Sequence, residues 1–111
     1  MDAVCMVMTA VGSEAVAEML AQQLVEDRLA ACVQVMPVKS FYVWQGESRK
    51  EAEYLLLIKT RAALYAQVES FILAHHAYET PEILQLPVTA GSNAYLQWLG
   101  ASTQGAGDQA L

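Results

Sequence analysis

Apolar residues run almost unbroken from Val4 to Met8, the pattern of a strand buried on both faces. Gly12 and Ser13 then interrupt, and Ser13 is placed to cap a helix running to about Arg28. Its apolar positions Ala17, Leu20 and Leu24 recur three and four apart, with Glu18, Gln22, Gln23 and Glu26 on the wet side. From Cys32 to Trp44 the chain is rich in Val, Phe and Tyr and alternates like an extended strand, broken only by Pro37. The polar cluster 45–50 supplies a reversal, and the apolar run Tyr54 to Ile58 completes a hairpin. A strand of about 13 residues is more than twice the usual five or six, so this hairpin projects beyond its sheet with edges that a neighbouring subunit can pair.

Thr60 is placed to cap a second helix, whose stripe Leu64, Val68, Phe71, Ile72 is continued by His75. Tyr78 to Pro81 ends it, and Glu82 to Val88 reads as a last strand, marked as an edge by Pro87. Gly91 and Ser92 open a short helix carrying Tyr95, Leu96, Trp98 and Leu99. The order βαββαβ plus a terminal helix predicts an α+β, ferredoxin-like domain with an antiparallel sheet in the spatial order 4-1-3-2 and helices on one face. The domain spans residues 1–100, and 101–111 reads as a flexible tail. Following strand directions, one edge of this fold collects Met8, Thr9, Glu53, His75, His76, Tyr78 and Glu82. Trp44 projects past the same edge, while Lys59 and Cys32 fall at the opposite end.

Composition adds an assembly state. Of 111 residues, 55% are apolar and 16% charged, against about 25% charged in an average globular protein. So few charges on a 12.1 kDa domain imply that another copy covers part of the outside. The net charge of −6 excludes a phosphate backbone as partner and favours a cation. No apolar stretch approaches the roughly 20 residues that span a bilayer. Cys5 and Cys32 form no CxxC pair, and nothing resembles a signal peptide, so reduced thiols in a cytoplasm are expected. One strand intervenes between the two cysteines, about 10 Å, too far for a disulfide.

The densest proton-active group is His75, His76, Tyr78, Glu79 and Glu82, and imidazole with carboxylate suits borderline divalent metals. Against this stands a plainer reading, with His75 a satisfied core histidine and the rest a solvated helix end. Met6 and Met8 share a strand face, where soft sulfur would favour copper(I), although methionine as core filler is the commoner use. Trp44 at a hairpin tip is an interface anchor or a pocket wall. Lys59 would neutralise an anionic ligand or simply snorkel from the sheet edge. Glu53 and Trp98 complete the pocket and interface candidates. No nucleophile elbow, phosphate loop or HExxH is present, so an enzyme would have to rest on His76 and Glu82 as acid and base.

The motifs AAC at Ala30 to Cys32, W-x-G at Trp44 to Gly46, IKT at Ile58 to Thr60, HxYxTPE at His76 to Glu82, LPV at Leu86 to Val88 and YLxW at Tyr95 to Trp98 together closely resemble the CutA divalent-cation tolerance family. The resemblance runs from about Val4 to Leu99. It implies a ferredoxin-like protomer in a tight homotrimer whose hairpins pair between subunits, a role in divalent-cation tolerance and, as in some bacterial members, copper binding. In eukaryotic members the family is associated with anchoring acetylcholinesterase. The trimer is also similar to PII-type signalling trimers, which implies a small-ligand role. The copper ligands of a bacterial member of the family match here as His75 and His76, with Met8 where that member's cysteine stands. Ala77 replaces a proline and Glu47 a lysine. The preferred reading is a non-enzymatic homotrimer that takes copper or other divalent metal ions, with a small anionic metabolite as a further candidate ligand. The alternatives are the His76 and Glu82 enzyme and a pure interaction scaffold.

Overall fold

The structure, a computed structural model, describes residues 3–105. Its elements are β1 (Val4–Val11), α1 (Glu14–Glu26), β2 (Cys32–Trp44), β3 (Glu47–Arg61), a 3-10 turn (Ala62–Leu64), α2 (Tyr65–His75), β4 (Ile83–Pro87) and α3 (Asn93–Ala101). The strands form one sheet in the order β2-β3-β1-β4 with every neighbouring pair antiparallel, the ferredoxin-like arrangement that the sequence predicts.

Strand alternation decides which side chains meet the helices. Cys5, Val7 and Val11 of β1, with Leu56 and Ile58 of β3, are buried against Ala17, Leu20 and Leu24 of α1 and Val68 and Ile72 of α2. By the same alternation Met6 and Met8 lie on the opposite, open face. Ser13 caps α1 as expected, its Oγ accepting from the Val16 amide at 3.3 Å. The terminal helix α3 sits beside the Lys59 end of β3 and buries Leu99. Among the described residues no helix is long and apolar enough to cross a membrane.

Three local features differ from the sequence reading. Thr60 does not cap α2. The ladder with β1 continues through Thr60 and Arg61, and the Thr60 hydroxyl donates instead to the Leu29 carbonyl at 2.6 Å, so α2 starts only at Tyr65 without a side-chain cap. The hairpin reversal takes two residues, not six. Gln45 and Gly46 have φ of 53° and 79°, a tight turn whose twist matches the flanking strands, and Trp44 pairs directly with Glu47. Because β1 reaches only as far as Tyr54 of β3, residues 38–53 stand as a bare two-stranded ribbon about 20 Å long, and the molecule measures 52 × 25 × 20 Å.

The third difference lies at residues 101–105, where the sequence reading starts a tail. Arg28 Nη2 donates to the Ala101 carbonyl at 2.7 Å and Arg61 Nε to Thr103 Oγ1 at 2.9 Å. Arg61 Nη2 also donates to the Gln104 carbonyl, and the Gln104 amide returns a bond to the Arg28 carbonyl at 2.7 Å. Thr103 is fully buried. The carbonyls left over at a helix C-terminus need donors; the Arg28 guanidinium supplies one to Ala101 here, while Arg61 holds the residues just beyond the helix. The rest of the expected tail, 106–111, lies outside the described residues.

Candidate functional site

At the base of the projecting ribbon, the hairpin and the connection between α2 and β4 enclose a cleft of about 840 Å³. Glu53 stands at its floor, opposite Val38 and one residue before β1 joins the ladder. It is only 7% exposed. The Tyr78 hydroxyl donates to Glu53 Oε2 at 2.7 Å. Tyr78 reaches that far by passing over Gly12, where a Cβ would lie 3.0 Å from the phenolic oxygen. His76 fixes the connection in turn. Its Nε2 donates to the Ala10 carbonyl at 2.8 Å, just beyond the point where β4 stops pairing with β1. Its Nδ1 accepts from the Tyr78 amide at 3.1 Å, and the two rings lie 4.7 Å apart. These bonds define the neutral Nε2–H tautomer with both nitrogens engaged.

The hairpin contributes the whole stretch from Ser40 to Trp44 of β2, and Arg49, Glu51 and Glu53 of β3; Ser40, Tyr42 and Trp44 share one sheet face with those three. Glu79 and Glu82 face them from the connection. Four carboxylates therefore surround the cleft against one guanidinium, and Arg49 Nη2 already lies 3.5 Å from Glu47 Oε2. The field is visible in the phenols. Burial, then the Glu53 hydrogen bond and charge, push the Tyr78 hydroxyl far above its ordinary range. The Glu51 carboxylate beside Tyr42 raises that phenol too.

Of the pocket and interface candidates read from sequence, Trp44, Glu53, Tyr78 and Glu82 line this cleft. Lys59 and Trp98 lie at the other end, with Lys59 Nζ 6.0 Å over the Tyr95 ring and Trp98 5.5 Å from the same ring. Tyr42, Arg49 and Glu51 were not singled out. The charge of this lining is predominantly negative, with Arg49 as its one cationic side chain.

The three expected metal ligands differ in availability. His75 is exposed, with Nδ1 donating to the Phe71 carbonyl at 2.8 Å and its ring 4.3 Å from that of Phe71. Its Nε2 has no hydrogen-bond partner among the described residues. His76 has no such vacancy. Met8 is half-buried on the open face between Leu57 and Leu84, two residues along the strand from Ala10 and therefore about 7 Å from it. Among the described residues no group of three or more His, Cys, Asp or Glu is placed to hold a metal ion. Cys5 and Cys32 are free thiols, Cys5 in the core and Cys32 half-buried on the open face.

Residues 5–102 match the model of the CutA1 divalent ion tolerance protein family. The chain is 44% identical over 98 residues to the divalent-cation tolerance protein CutA of Thermus thermophilus, covering 87% of this chain and 95% of that one. It is 43% identical over 86 residues to the chloroplastic protein CutA of Arabidopsis thaliana. There the match covers 77% of this chain but about half of the relative, 47%. The crystal structure of CutA1 from Oryza sativa superposes with a TM-score of 0.90 at 35% identity, covering 94% of this chain and 96% of that one. A match along almost the whole described fold, in sequence and in backbone alike, places this chain in the CutA1 divalent ion tolerance family.

Proposed function

We propose that the chain works in the cytoplasm as a homotrimer that binds copper or other divalent cations without enzymatic turnover. The observation that carries the cation reading is Glu53: a carboxylate 7% exposed that faces the cleft, takes one hydrogen bond from Tyr78 and has no cationic partner among the described residues. A buried charge of this kind is costly unless a counter-ion joins it. The described residues of one chain bring too few donors together for a bare ion, so in this proposal a neighbouring subunit completes the set, with the exposed His75 as a further donor. The trimer is supported by the ribbon. Phe41 and Val43 are 71% and 72% exposed and Leu84 of the open face 54%, apolar area that an isolated domain would leave in water. The acid–base alternative through His76 and Glu82 is disfavoured because both ring nitrogens of His76 are engaged in holding the connection.

Sedimentation equilibrium tests the assembly, and a stable folded monomer would end the trimer reading. Calorimetry with copper and with magnesium on wild type, Glu53→Gln and the double variant His75→Ala/His76→Ala tests the ligand. Weakening by Glu53→Gln supports the cleft. Weakening by the histidine pair alone moves the ion to the imidazole edge, and heat-silent titrations of wild type with both metals reject cation binding.

A further inference from the structure

We infer that the cleft takes a linear aliphatic amine carrying two or more ammonium groups. This rests on reading the cleft as a cation site but names a different class of cation from the metal ion proposed above.

Three features point to it together. First, Glu53 is nine-tenths buried and borders the cleft, and only one of its carboxylate oxygens has a hydrogen-bond partner among the described residues. A buried carboxylate without a countercharge asks for a donor that carries positive charge. Second, the other carboxylates, Glu51, Glu79 and Glu82, stand around the rim and do not gather into a chelating group. Dispersed negative points suit a ligand whose positive charges are themselves spaced along a chain; a bare divalent ion needs several oxygens at one point. Third, the walls between those carboxylates are aromatic, with Tyr42 and Trp44 on the hairpin and Tyr78 opposite. Aromatic faces accept methylene segments and alkylammonium groups alike, and the protein's own Lys50 ammonium already lies 5.8 Å over the neighbouring Phe41 ring. A cleft of about 840 Å³ also falls within the range of small-molecule sites, roughly 300–1,000 Å³.

The test is calorimetry on the assembled full-length protein at about 0.15 M salt, with spermidine, 1,4-diaminobutane, n-butylamine and magnesium as probes. Affinity is expected to fall in that order for the three amines, by about fivefold for each ammonium removed. Glu53→Gln is expected to weaken spermidine about tenfold or more. Should that buried substitution unfold the protein, the exposed pair Glu79→Gln/Glu82→Gln and Trp44→Leu decide, each weakening spermidine while Glu18→Gln on α1 leaves it unchanged. Equal loss from Glu18→Gln, or no loss from the cleft variants, means diffuse attraction to an acidic surface and overturns the inference. Absence of amine binding also overturns it, including where a second copy fills the cleft in the assembly. If divalent binding then persists, the function proposed above stands; if that is lost too, both fall.

Discussion

The Tyr78 hydroxyl and the Glu53 carboxylate, 25 residues apart in the chain, meet at 2.7 Å and tie the α2–β4 connection to the root of the projecting ribbon. The bond requires the phenol to keep its proton. Folding raises the pKa of Tyr78, mainly by burial and then by Glu53, so the folded state holds that proton after an unfolded chain has begun to lose it near pH 10. The stabilisation is complete below that pH and is lost as pH rises above it. Thermal melts between pH 8 and about 11 should show wild-type stability declining more steeply above pH 10 than that of Tyr78→Phe. At neutral pH the same variant should be less stable by about 1–3 kcal/mol, because Glu53 loses its donor.

The two histidines should separate cleanly. His76→Ala removes two hydrogen bonds that position Tyr78 and is expected to cost about 1–3 kcal/mol in urea unfolding. His75 is exposed and bonded only within its own helix, so His75→Ala should stay within about 0.5 kcal/mol of wild type. Any loss of copper affinity in His75→Ala, measured by calorimetry, then reports a ligand rather than a structural defect.

Turn chemistry at the ribbon tip gives a third expectation. Gln45 adopts a left-handed conformation that asparagine tolerates better, and Gln45→Asn should slow amide exchange along residues 40–51. Gly46→Val should accelerate it. A Cβ at Gly46 would meet nothing within 4 Å, so the effect is backbone strain of about 1–2 kcal/mol. Exchange in β1 and β4, whose ladders include no residue of 38–53, should be unchanged.

Beyond α3, Thr103→Val removes the oxygen that accepts from Arg61 Nε inside the protein. A loss of about 1–3 kcal/mol is expected in denaturant unfolding. Ser102→Ala keeps the backbone carbonyl that faces Arg28 and should be neutral within about 0.5 kcal/mol.

Elements with a strong period and one-sided burial were readable from the chain alone. Val4–Met8 stands out as an unbroken apolar run, the Leu20 and Leu24 stripe and the Val68 and Ile72 stripe repeat at the spacing of the helix face they bury, and the order of these elements predicts the strand arrangement. What failed were choices between two local options of similar cost. Thr60 is a good cap by type, but its ladder bonds and the Leu29 carbonyl compete for it and win. Gln45–Gly46 lacks the Asn-Gly signature, so the tight turn was masked by the polar residues that follow it and belong to the strand. The anchoring of Thr103 and Gln104 depends on Arg28 and Arg61, partners at least 42 residues distant, and no local pattern carries such information. In the cleft, Tyr78 and Glu82 were legible because they sit between the end of α2 and the start of β4, and Glu53 because it directly precedes the apolar run from Tyr54. Tyr42, Arg49 and Glu51 lie inside a long strand pair, where alternation alone does not say which face a neighbouring connection will cover.

The placement of the two thiols on opposite sides of one sheet equips the chain with a pair of clocks. Cys5 is 1% exposed and its thiol is pushed up in pKa by burial, so an alkylating reagent must wait for the core to open. Cys32 is half-buried on the side that the two packed helices leave uncovered. Its modification rate registers whatever docks on that surface. A single time course of mass-resolved labelling thus separates the covering of that surface from the lifetime of the fold, without any residue having to be introduced for the purpose.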